Sequence, residues 1–408
     1  MGYIDFRTMR IGISRERKNP PDNRVAFTPI QCVALQSRYP QLSIAVESSP
    51  NRCFTDEQYR EVGVAVVESL QDCDVIFNIK EIPVQHLIPG KTYFFFSHTI
   101  KKQPYNQTML QEIINQHITL IDYEVLRWES GQRVLGFGRY AGVVGAYNGL
   151  LVYGKKFNLW HLKPAFQCAN YAEMLTQAML IKLPPLRIVI TGGGRVAQGA
   201  LDMLRALKIR EITPKQFLHI QYTEPVFVQL NSPDLYVHPT LKEWDTQHFY
   251  THHHEYHSQF LPYAASADLL INGVYWTQDL PRLFEKSDTA AGKNFPTVIA
   301  DVSCDINGSV PITYDATTIA NPVIGWNRKS QEPCQPYAEN SIDIMAVGNL
   351  PNELPKDASE EFGEMLLQHV IPALLSPNSK LIEHATIAKD GKLTADFQYL
   401  TDYVQNSL

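Results

Sequence analysis

Residues 186–206, LRIVITGGGRVAQGALDMLRA, constrain the fold more than any other stretch of the chain. A β-branched run, three glycines and a row of good helix formers in immediate succession describe a strand, a tight turn and a helix. Gly192-Gly193-Gly194-Arg195-Val196-Ala197 fits G-x-G-x-x-A. Glycines at Gly192, Gly193 and Gly194 let the backbone turn sharply and approach a pyrophosphate, whose charge then meets the amides and positive dipole of the helix N-terminus. The competing reading is a purely structural glycine turn. An acid about twenty residues onward would bind the adenine ribose and mark NAD. The segment KIREITPK offers Glu211, inside an expected strand; the expected strand tip is Thr213, with Arg210 and Lys215 close by. NAD and NADP both stay open.

The first third of the chain alternates short apolar runs with amphipathic stretches. Met9–Ser14 reads as a strand, and Thr28-Pro29 as a helix start, a capping hydroxyl followed by proline, continuing from Ile30 to Arg38. Strands are expected at 43–47 and 64–68, with helices at 56–62 and 108–116. Three more strand-like runs, 74–80, 92–98 and 119–124, stop at Lys80 (with Glu81 next), His98 and Glu124. Strands alternating with helices indicate a parallel sheet, and ligands of such sheets sit beyond the carboxyl ends of the strands. A lysine, a histidine and a glutamate delivered to one edge by consecutive strands form a candidate site. Further strands are expected at 268–272 and 297–303, and a helix at 357–375 with Pro372 terminating it. The C-terminal region has no glycine turn of its own and returns to complete the first domain.

Those side chains suit proton transfer. A lysine in a cleft beside another cation loses its proton near neutral pH, where histidine already titrates. Arg24 and Arg133 suit carboxylate recognition, because guanidinium contacts are bidentate. The chain has 408 residues, 44% hydrophobic and 19% charged, enough for two domains. Thirty-six basic and 42 acidic residues give −6, which argues against a nucleic-acid binder or a polybasic membrane-surface protein. Six scattered cysteines without a CxxC pair, and no signal-peptide pattern, point to a reducing cytoplasm. The most membrane-like window, 134–152, contains Arg139, Asn148 and five glycines, and reads as a buried helix packed through small residues. His252, His253, His254 and His257 have no cysteine or aspartate at ligand spacing, so an exposed loop is expected and no metal.

Nine strings make the chain resemble a known family: RVAFTP at Arg24, NIKE at Lys80, FFFSHTIKKQ at His98, LIDYE at Glu124, RVLGFGRYAGVVGA from Arg133, GGGRVAQGA, INGVYW at Asn272, ADVSCD at Asp301 and AVGNLP at Asn349. They are similar to the saccharopine dehydrogenase (lysine-forming) and lysine–2-oxoglutarate reductase group, within the alanine dehydrogenase/transhydrogenase superfamily. The resemblance covers nearly the whole chain. FFFSHTIKKQ and LIDYE most resemble the reductase domain of the bifunctional lysine-degrading enzyme.

The resemblance implies an α/β chain of two Rossmann-like domains with parallel sheets around an interdomain cleft. The substrate domain would span 1–140 plus 335–408, and the dinucleotide-binding domain 141–334. It implies reversible cleavage of saccharopine to lysine and 2-oxoglutarate with NAD or NADP as cofactor. Lys80 would take the amine proton and His98 would activate water. Glu81 and Glu124 would tune that pair, and Arg24, Lys101, Gln103, Arg133 and Phe137 would lie at substrate. Arg195, Val196, Val274, Val347, Gly348, Asn349 and Leu350 would face the dinucleotide, and Gln132 occupies a cofactor-proximal position. The partners implied are small molecules, with oligomer formation left open. Two alternatives stand beside this reading: an alanine dehydrogenase-like oxidoreductase, and a catalytically silent dinucleotide sensor, which has no need of Lys80 and His98 together.

Overall fold

The computed structural model describes residues 9–405. The chain divides into two compact units, residues 1–136 with 355–408, and residues 137–354.

The first unit carries β1 (Met9–Ile13), β2 (Leu42–Glu47), β3 (Ala65–Val67), β4 (Val75–Phe77), β5 (Thr92–Phe95) and β6 (Thr119–Asp122). Its eight-stranded sheet is ordered, from one edge, Lys392–Leu393, Thr386–Lys389, β6, β5, β4, β1, β2, β3. β1 to β6 pair in parallel, and the C-terminal hairpin adds antiparallel to β6. Parallel strands covered on both faces need continuous apolar runs, and β4 and β5 are buried at every position. The expected helix start at Thr28 is a capping box: Thr28 Oγ1 accepts from Gln31 N and Gln31 Oε1 from Thr28 N.

The helix expected at 357–375 runs as Pro355–Met365, a wider π turn at Leu366–Val370, and Ile371–Leu375. It ends at Leu375, shortly after Pro372, as expected. The wide turn lies just before the proline, where its missing N–H and ring bulk disturb a regular helix least.

The second unit carries β7 (Arg187–Thr191), β8 (Arg210–Glu211), β9 (Val226–Leu230), a separate pair β10 (Tyr236–Val237) and β11 (His257–Ser258), then β12 (Leu269–Asn272), β13 (Val298–Asp301), β14 (Val323–Asn327), β15 (Glu332–Cys334) and β16 (Ser341–Met345). The main sheet is ordered β15-β14-β16-β13-β12-β7-β9-β8. β16 pairs in parallel with β13 and is buried along its length. Residues 335–354 therefore lie in this unit, whereas the sequence places them with the first domain. A buried strand without a glycine turn leaves no boundary marker to read.

The glycine-rich window seen in the sequence forms the helix Gly138–Phe157, packed on the helix Arg195–Ala206 that follows the glycine turn. A Cβ on Gly142 would come within 1.8 Å of Val196 O, and one on Gly199 within 1.8 Å of Arg139 O. Two bare backbones in contact clamp the start of the second helix. No helix among the described residues is long and apolar enough to cross a membrane.

Candidate functional site

The three strand ends singled out in the sequence are neighbours, because β4, β5 and β6 are adjacent and parallel. Lys80 and Glu81 follow β4, His98 follows β5 and Glu124 follows β6. Glu81 Oε1 is 2.7 Å from His98 Nδ1, and its other oxygen is 3.0 Å from Lys18 Nζ. Burial opposes charge on Glu81, but the bonds from His98 and Lys18 outweigh it and bring the carboxyl down to about 2. With Nδ1 held by a carboxylate, Nε2 is the ring nitrogen left for exchange.

His98 has φ 53°, the left-handed region that costs an ordinary side chain energy. Ser97 fixes that turn: its N–H donates to Asp122 Oδ2 at 3.0 Å and its hydroxyl bonds the same carboxylate. Asp122 also accepts from Glu124 N at 2.7 Å, so one buried carboxylate sets the exits of both β5 and β6. Burial raises Asp122 to about 6.

Lys80 is held through its main chain. Glu16, half-buried, accepts from Ile79 N at 2.6 Å and Lys80 N at 3.1 Å. Burial and the neighbouring Asp22 raise the Glu16 carboxyl. Burial and then the Arg24 guanidinium lower the Lys80 ammonium to about 8. Arg24 is itself buried, its Nε and one terminal nitrogen gripping Asp22 at 2.9 and 2.6 Å. It thus sits within a charge cluster around Lys80 rather than as a surface arginine. Glu124 is buried, with Oε1 at 2.7 Å from Arg133 and 3.5 Å from the exposed Lys101, while Oε2 has no hydrogen-bond partner among the described residues. Gln103 begins a short turn, and its carbonyl accepts from Asn106 N and Tyr403 OH.

Glu16, Asp22, Lys18 and Asp122 were missed by the sequence reading. Their only signal is a polar residue inside loop strings or an apolar run, and Glu16 meets its partners more than sixty positions away.

In the second unit the turn behaves as the motif requires. Gly192 has φ +103°, and a Cβ there would lie 2.8 Å from Gly273 O and 3.3 Å from Val274 N. This brings two predicted contact points, Gly192 and Val274, together. Gly193, Gly194 and Arg195 are exposed and Val196 half-buried, at the N-terminus of a twelve-residue helix. An exposed glycine turn feeding a long helix fits a pyrophosphate. The turn is braced from below: Thr191 Oγ1 bonds Asn272 Oδ1 at 2.7 Å, and Asn272 Nδ2 bonds Asp301 at 2.8 Å and Ser309 at 2.9 Å. Val347 and Leu350 are buried beyond β16, with Gly348 exposed and Asn349 between. Phe137 caps the helix Gly138–Phe157. Gln132 is exposed, and its carbonyl accepts from Trp128 N.

The expected ribose acid is not found where the sequence count put it. β8, with Glu211, is the outermost strand, and Glu211 pairs with Arg205. The strand that follows the turn and pairs with β7 is β9, because β8 and the helix Pro214–His219 intervene in the chain.

The histidine-rich segment forms short helices, Thr246–Thr251 and His253–Glu255, not a loop. The residues it draws together are His238, His248 and Glu255. His238 Nδ1 accepts from the N–H groups of Thr240 and Leu241 at 3.2 and 3.1 Å, which puts the ring proton on Nε2, facing Glu255 at 3.1 Å. A metal needs that lone pair, so the trio is a hydrogen-bonded cluster.

The fold and sites define an α/β chain with a glycine-turn unit of dinucleotide-binding type and a unit presenting lysine, histidine and carboxylates at its strand ends. Residues 12–144 match the family described as alanine dehydrogenase/PNT, N-terminal domain. The chain is 28% identical over 439 residues to the alpha-aminoadipic semialdehyde synthase of Arabidopsis thaliana, a match covering 96% of this chain and 41% of that protein. It is 26% identical to the saccharopine dehydrogenase [NAD(+), L-lysine-forming] of Yarrowia lipolytica, covering 88% and 90%. The chain thus spans less than half the length of the semialdehyde synthase and most of the saccharopine dehydrogenase. A solved L-alanine dehydrogenase superposes over 97% of this chain and 100% of its own with a TM-score of 0.67 at 18% identity, which shows a shared fold. The family resemblance read from the nine strings is borne out.

Proposed function

We propose that the chain is an NAD(P)-dependent amine dehydrogenase of the saccharopine type, interconverting saccharopine, water and NAD(P)+ with lysine, 2-oxoglutarate, NAD(P)H and a proton. The observation that carries this reading is the Glu81–His98 hydrogen bond next to the depressed Lys80 ammonium. With its ammonium lowered to about 8, Lys80 is neutral in a useful fraction near physiological pH and accepts the proton of the secondary amine as the C–N bond is oxidised. Gly192–Gly194 would hold the pyrophosphate of a nicotinamide dinucleotide, which would supply the hydride acceptor. Val274, Val347, Gly348, Asn349 and Leu350 would hold the rest of it. His98, anchored through Nδ1, presents Nε2 to activate the water that adds to the imine carbon. Glu124 Oε2, buried and without a hydrogen-bond partner among the described residues, suits a substrate ammonium. Arg133, Lys101 and Gln103 suit its carboxylates, and Phe137 an apolar stretch.

The relatives named for saccharopine and for alpha-aminoadipic semialdehyde synthesis support this over the alanine-type alternative. The test is initial-rate assay of lysine plus 2-oxoglutarate with NADH and NADPH, beside ammonia plus pyruvate. Turnover of the first pair supports the reading; turnover of the second pair alone replaces it with an alanine dehydrogenase, and binding of a dinucleotide with neither turnover leaves a sensor.

A further inference from the structure

In a Rossmann-type unit the adenine ribose is read at the carboxyl end of the strand beside the glycine-turn strand. Topology, not residue count, identifies that strand. β7 pairs in parallel from Arg187↔Val226 to Thr191↔Leu230, so the end of β9 comes level with the start of the glycine turn. The residues there are Gln229, Leu230, Asn231 and Ser232, without a carboxylate or a cation.

Asn231 is against the turn. A Cβ on Gly193 would lie 2.7 Å from Asn231 Oδ1, and Gln229 Nε2 donates to Gly192 O at 2.9 Å. Asn231 is exposed. Its backbone N–H donates to Asp234 Oδ2 at 2.9 Å, so the nearest carboxylate is tied to the main chain.

We propose that Asn231 is the residue that reads the adenosine ribose, and that its neutral amide makes the chain accept NADH and NADPH alike. An acid at this place takes both ribose hydroxyls and repels a 2′-phosphate; an arginine pairs with the phosphate. An amide does neither. Its NH2 group donates to a hydroxyl or a phosphate oxygen and its oxygen accepts from a hydroxyl, without a charge preference. This inference rests on the dinucleotide reading above and names its selectivity element.

The test is titration calorimetry of NADH and NADPH, without substrate, on the wild-type chain and on Asn231→Asp, Asn231→Arg and Asp234→Asn. Thermal unfolding of each variant confirms its fold. The wild-type affinities should agree within about tenfold. Asn231→Asp should lower the NADPH-to-NADH affinity ratio by about tenfold or more, and Asn231→Arg should raise it similarly. A wild-type preference much beyond tenfold, or a ratio unmoved by both Asn231 variants, overturns the inference while leaving dinucleotide binding intact. A ratio that moves only in Asp234→Asn assigns the ribose to that carboxylate and overturns it equally. Failure of either nucleotide to bind the wild type overturns the dinucleotide reading as well.

Discussion

Lys80 is held at a cost in stability. Its folded-state value of about 8 lies below the ordinary 10.5, so between those values the unfolded chain binds more protons than the folded one. Stability associated with this group rises with pH through that window and is lowest below about 8. Lys80→Met should therefore raise the melting temperature at pH 7, and the gain should shrink above pH 10; a lower melting temperature at pH 7 contradicts the burial argument. Glu81 works in the opposite sense. Its value of about 2, against 4.5 unfolded, stabilises the fold above pH 4.5, and that contribution disappears as the pH falls through 2. Acid titration of Glu81→Gln should show a shallower loss of stability between those two limits. His98→Gln should lower turnover by about 10²-fold or more and flatten the pH–rate profile. A profile identical to the parent's removes His98 from proton transfer. Lys80, His98 and Glu124 were legible because each ends an apolar run. Glu16, Asp22 and Asp122, which set their geometry and charge, were not, since nothing in a linear sequence says that residue 16 lies under residue 80.

The contact between the helices Gly138–Phe157 and Arg195–Ala206 leaves no room for a methyl group. Gly142→Ala would put a Cβ within 1.8 Å of Val196 O, main chain that moves only if the helices part. The expected loss is about 3 kcal/mol or more, read as a lower urea midpoint together with weaker dinucleotide binding, because the clamped helix begins at the glycine turn. An unchanged midpoint contradicts the close packing. The five glycines between positions 134 and 152 announced such a contact, and the strand–turn–helix at 186–206 announced itself. Two elements did not. The detour through β8 and the helix Pro214–His219 before β9 joins the sheet beside β7 defeats counting twenty residues from the turn. The π turn at Leu366–Val370 had no signal in the sequence, although the helix ends at Leu375 as expected.

At the scale of the whole chain, the alternation of strands and helices was enough for two parallel-rich α/β units, and for a C-terminal segment belonging with the first. The crossing back falls at 354/355 rather than at 334/335 because β14, β15 and β16 complete the second sheet before the chain returns. The two halves of the proposed chemistry thus reside on separate units, proton transfer on the first and dinucleotide binding on the second, and they are separable by mutation. The most direct test compares wild type and Lys80→Met in steady-state turnover of lysine plus 2-oxoglutarate, with dinucleotide binding followed by calorimetry on the same preparations. Turnover should fall by about 10²–10⁴-fold with nucleotide affinity unchanged. Undiminished turnover in Lys80→Met, measured on a folded preparation, contradicts the role of Lys80 as base.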